Sequence, residues 1–69
     1  MKSLNFAENL KAEMKNAKIS QDALAKALNT TQATVSRWTS GIYEPDLQTV
    51  LIICEILDVS PNVLLGWEE

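Results

Sequence analysis

The sequence predicts an all-α protein, a compact bundle of about five short helices. Three observations carry that prediction. Cap and turn residues cut the chain at Ser20, Asn29-Thr30-Thr31, Gly41, Pro45-Asp46 and Ser60-Pro61. Between the cuts, apolar residues recur three and four positions apart, the spacing of one helix face. No segment alternates apolar and polar residues between hairpin turn signals.

The first helix is expected from about Asn5 to Lys18. Asn5 is placed to cap it, with Glu8 at the third helical position, where a capping box puts its acid. Phe6, Leu10, Met14 and Ala17 form its inner face, and Lys11, Lys15 and Lys18 lie on a wetter one. Ser20 caps the second helix, Gln21 to Leu28, with Leu24 and Leu28 turned inward. Asn29 ends it, because asparagine tolerates the left-handed conformation of a tight helix end. Thr31 caps a third helix, Gln32 to Ser40, whose buried side holds Val35 and Trp38; Gly41 stops it. Asp46 caps a fourth, with Leu47, Val50, Ile53, Cys54 and Leu57 as its inner stripe. Ser60 and Pro61 pair a cap with proline at the first helical position, opening a fifth helix through about Leu65.

A chain of 69 residues makes one small domain, residues 1–69, near the lower limit at which a single core suffices. At 46% hydrophobic residues it has material for that core. No apolar run reaches membrane-spanning length, and the polar start at Met1-Lys2-Ser3 does not read as a signal peptide, so no membrane partner is expected. One cysteine, Cys54, permits no internal disulfide, and a cytoplasmic location is expected. With no histidine and no partners for Cys54, no metal or other cofactor is expected. His-dependent nucleophilic catalysis is excluded, and no convergent acid–base set stands out, so the chain is not read as an enzyme.

The net charge of −3 conceals an asymmetry. All six bases (Lys2, Lys11, Lys15, Lys18, Lys26, Arg37) lie before Trp38, against only Glu8, Glu13 and Asp22. Residues 42–69 carry Glu44, Asp46, Glu55, Asp58, Glu68 and Glu69 and no base. The local field of each half matters more to a partner than the total.

The second and third helices, joined by a turn of about three residues, have helix-turn-helix spacing across residues 20–41. The outer face of Gln32–Ser40 carries Gln32, Ala33, Ser36 and Arg37, with no acid anywhere from Thr30 to Ile42. Glutamine can bond adenine N6 and N7, arginine can grip guanine O6 and N7, and alanine can touch a thymine methyl. These four are the candidate base contacts to double-stranded DNA. Ser20, Gln21, Thr30 and Thr31, at the helix starts, are candidate phosphate contacts, since free amides and a positive dipole end meet an anion there. Lys2 and Lys26 would add charge.

The stretch Ile19-Ser-Gln-Asp-Ala-Leu-Ala-Lys-Ala-Leu-Asn-Thr-Thr-Gln-Ala-Thr-Val-Ser-Arg-Trp-Thr-Ser-Gly41 resembles the Xre/Cro family of phage-repressor-type domains. The resemblance continues through Glu44-Pro45-Asp46-Leu47 and Leu57 to Leu65. It implies a lambda-repressor-like fold of about five helices. It assigns Gln21 to a phosphate clamp and Gln32, Ala33, Ser36 and Arg37 to the base-facing positions. By the same resemblance, a family arginine and glutamate that often pair are replaced here by Met14 and Thr39, so neither charge is stranded. Where the family often has a basic residue after the glycine, this chain has Ile42-Tyr43-Glu44, leaving the Tyr43 hydroxyl as the phosphate contact of that loop. Repression of transcription, by occupying an operator, is also what the resemblance implies.

Residues 50–67 carry more apolar side chains than one inner stripe requires. Ile52, Ile56, Pro61, Val63 and Trp67 are therefore expected to form a homodimer contact. A two-fold dimer would favour a palindromic site with half-sites roughly 34 Å apart. A second reading stays open: a protein-interaction module, such as a toxin-neutralising antitoxin, working through the acidic apolar half.

Overall fold

The computed structural model describes residues 5–66. Its five helices are α1 (Phe6–Ala17), α2 (Gln21–Ala27), α3 (Gln32–Thr39), α4 (Leu47–Leu57) and α5 (Pro61–Leu65). The expected element order holds. Lys18, Leu28 and Ser40, read as the last residues of their helices, are the C-caps instead. Helix α1 packs against α3, α4 and α5, and α2 lies along α3.

Four of the five starts are capped as the sequence suggests. Ser20 Oγ accepts from the Ala23 amide at 3.1 Å and Thr31 Oγ1 from the Thr34 amide at 3.2 Å. Asp46 Oδ1 accepts from the Thr49 amide at 2.9 Å, and Ser60 Oγ from the Val63 amide at 3.4 Å. Asn5 is the exception: at φ −68° and ψ 66° it lies outside the extended region a capping side chain requires, and makes no such bond. Glu8 does not reach back to it but pairs with Lys11 at 3.5 Å.

Helices α1 to α4 end alike, on a residue with positive φ: Lys18, Asn29, Gly41 and Asp58. In each case the next amide reaches back to a carbonyl five residues earlier, as Ile19 does to Met14 and Val59 to Cys54, both at 3.0 Å. Asn29 and Gly41 fit the expectation from sequence. Lys18 and Asp58 hold the same geometry with side chains that it strains.

The core draws on every helix: Phe6, Leu10 and Met14; Leu24 and Ala25; Val35 and Trp38; Val50, Ile53, Cys54 and Leu57; and Leu64. Burial pushes the Cys54 thiol pKa upward, since desolvation disfavours the thiolate. Two expectations need correction. Ala17 is exposed, so the buried face of α1 ends at Met14. Leu47 is 67% exposed, because it opens α4 at the edge of the Val50–Leu57 stripe. Ile56, expected at a dimer contact, is half-buried: part of it packs against the core and part stays accessible.

Candidate nucleic-acid interface

Helix α3 owes its placement to one face. Val35 and Trp38 are buried, anchoring it against α1 and α2. With them lies Thr39, the one buried polar residue among the described residues, at 6% exposure. Gln32, Ala33 and Arg37 turn outward, and Ser36 is half-buried beside them. Gln32 and Ser36, like Ala33 and Arg37, are four apart, so the candidate base contacts share one face. Ser40 ties down the far end: its hydroxyl donates to the Ser36 carbonyl at 2.8 Å.

The start of α3 is held by Thr31, whose hydroxyl also lies 3.0 Å from that of Thr34. Ser20 and Thr31 are exposed, and Thr30 is half-buried. Tyr43 is exposed in the loop after Gly41. Lys26 pairs with Asp22 at 3.3 Å, which reduces its charge toward any partner. Lys2 lies outside the described residues. In α3 the first turn holds no acid and the last turn holds Arg37.

Gln21 does more than its assignment as a phosphate clamp suggests. Its Nε2 donates to Thr39 Oγ1 at 3.0 Å, and its Oε1 accepts from Gln32 Nε2 at 3.3 Å. Thr39 in turn donates its hydroxyl to the Ser36 carbonyl at 3.0 Å. One side chain at the start of α2 thus grips both ends of α3. Sequence reading found the two glutamines and missed Thr39 as their partner. The available signal was its position four residues after Val35, on the apolar side, where a polar group needs a bond.

Of the expected dimer residues, Ile52 and Val63 are 41% and 48% exposed, and Pro61 is exposed. Trp67 lies outside the described residues. Leu51, Leu47, Ile42 and Tyr43 add exposed apolar surface. Among the described residues, no helix is long and apolar enough to cross a membrane.

Comparison with known proteins agrees with this geometry. The chain is 34% identical over 68 residues to the HTH-type transcriptional regulator DicA of Escherichia coli K12, covering 99% of this chain and 50% of DicA. It is 40% identical over 63 residues to the HTH-type transcriptional regulator YqaE of Bacillus subtilis, covering 91% of this chain and 54% of YqaE. It therefore spans about half the length of these curated relatives. The crystal structure of the phage P22 c2 repressor with a synthetic operator is similar at a TM-score of 0.81 and 28% identity, covering 99% of this chain and all of that one. A helix-turn-helix family model matches residues 10–64, and the chain belongs to that family, of Xre/Cro type.

Proposed function

We propose that this domain is a sequence-specific, double-stranded-DNA-binding transcriptional regulator that lays α3 in the major groove. The carrying observation is the division of α3: Val35, Trp38 and Thr39 hold it down, and Gln32, Ala33 and Arg37 face out along an acid-free surface. Gln32, Ala33, Ser36 and Arg37 contact base edges. Ser20, Gln21, Thr30, Thr31 and Tyr43 contact phosphate. Gln21 has an N–H to spare for this, since Thr39 uses only one of its two.

Regulation is by repression, as the name of the P22 relative suggests, and it takes place in the cytoplasm without a catalytic step. The protein acts as a homodimer on a palindromic operator, through Ile52, Pro61 and Val63, flanked by Ile56 and Trp67. Exposure of the first three supports that contact. Selection of binding sites from random duplexes tests the whole reading: a palindrome with half-sites about one helical turn apart is expected. Recovery of no enriched sequence would sink it.

Exposed Leu47, Leu51, Ile52 and Val63 in the base-free half also favour the second reading, a protein-interaction module. Such a module would act unchanged after Arg37→Ala.

A further inference from the structure

We propose that Thr39 is a positioning residue that sets base specificity: its hydroxyl fixes the direction of the Gln21–Gln32 hydrogen-bond chain and so makes Gln32 read adenine rather than guanine. This rests on the reading of α3 as the base-contacting helix.

Thr39 has one hydroxyl hydrogen, and the Ser36 carbonyl takes it at 3.0 Å. A bond from threonine to the carbonyl one turn earlier is a geometry that helical threonine favours. The buried Oγ1 is then left to accept, and the group it accepts from is Gln21 Nε2. A carboxamide has one donor end and one acceptor end. With the donor end of Gln21 held at Thr39, its Oε1 faces Gln32 and accepts from Nε2 there. Gln32 is left with its Oε1 and one N–H. An acceptor beside a donor is the complement of adenine N6–H and N7.

Reversal of the chain would change the letter that is read. If Thr39 donated to Gln21 Oε1, the Gln21 amide would turn its N–H groups toward Gln32 and engage Gln32 Oε1. Gln32 would then present donors alone, the complement of guanine O6 and N7. The choice between two bases at the surface is thus made by a hydroxyl that touches neither.

The test compares duplexes that differ only at the base pair whose preference Gln32→Ala removes. Wild type should favour adenine over guanine there by about tenfold or more. Thr39→Val, which keeps the branched shape and loses the hydroxyl, should lower that ratio about tenfold; Thr39→Ser should restore it. A ratio of affinities does not depend on the fraction folded, so a less stable valine variant still reports. Exchange of the Gln21 carboxamide protons in the free protein gives a readout without DNA: slow in wild type and Thr39→Ser, fast in Thr39→Val. A valine variant with undiminished adenine preference overturns the proposal and leaves the DNA reading standing. A Gln32→Ala variant with an unchanged profile at every base pair removes Gln32 from the base contacts and overturns the proposal as well.

Discussion

Helices α3 and α4 are alike on the inside and opposed on the outside. Each buries a stripe of large side chains, Val35 and Trp38 in one and Val50, Ile53, Cys54 and Leu57 in the other. Outside, α3 shows Gln32, Ala33 and Arg37, whereas α4 shows Leu47, Leu51 and Ile52. The inner faces decide where a helix goes. The outer faces decide what it meets, and here they point to unlike partners: a polar, hydrogen-bonding surface for α3 and an apolar one for α4. The division of charge follows the same line, with every base before Trp38 and none after it.

The largest expected effects test the likeness. Ile53→Ala should cost about 2–5 kcal/mol, and Val35→Ala somewhat less, in urea unfolding, because each side chain is fully buried. A domain of this size has little stability to spare. An unchanged midpoint in either variant would break the shared-core account. The outer faces should separate the helices. Arg37→Ala is expected to cost about 1–3 kcal/mol of DNA binding at one base pair, with the melting temperature unmoved. Leu51→Gln, at an exposed position on α4, should leave DNA binding by the domain as it was. If both variants lost DNA affinity alike, α3 would have no special claim.

The helix ends contribute less. Helix α3 ends on Gly41 at φ 81° and α4 on Asp58 at φ 58°. A β-carbon at Gly41 would meet only Ala7 Cβ, at 3.8 Å, so Gly41→Ala should cost roughly 1 kcal/mol, all of it backbone strain. Asp58→Gly should gain up to about 1 kcal/mol by relieving that strain, and it also removes an acid from a negative helix end. Thermal unfolding checks both, and shifts of the same sign would refute the pairing.

The helix starts differ in titration, which gives the smallest effect. Thr31 is a neutral cap, whereas Asp46 is a carboxylate held below its ordinary pKa of 3.8 by the Thr49 side chain and then by the Thr49 amide. A depressed folded-state pKa means that the cap contributes fully above the unfolded value and loses its contribution as pH falls through the folded one. Asp46→Asn, which still caps, should flatten the stability profile below about pH 4. A wild-type and variant pair with parallel profiles there would remove Asp46 from the acid response.

What the sequence could reveal depended on the range of the interaction. Caps at Ser20, Thr31, Asp46 and Ser60 are local, with side chain and amide three residues apart, and all four were legible. Asn29 and Gly41 announced their turns because those residue types tolerate positive φ. Lys18 and Asp58 did not, since the packing of Ile19 and Val59 against the core outweighs what their own backbone prefers. The outward face of α3 was legible as a pattern of residue types. The bond from Gln21 to Thr39 was not, because it joins residues 18 apart and exists only once α2 has packed on α3.

Cys54 gives this small domain a clock. It is the chain's sole thiol, it is buried in the centre of α4, and its surroundings keep it protonated. An alkylating reagent in solution can capture it only in molecules that have opened. With reagent in excess, the labelling rate becomes the rate of opening itself. The slowing of that rate by an operator duplex would then weigh the complex without attaching a probe to either face.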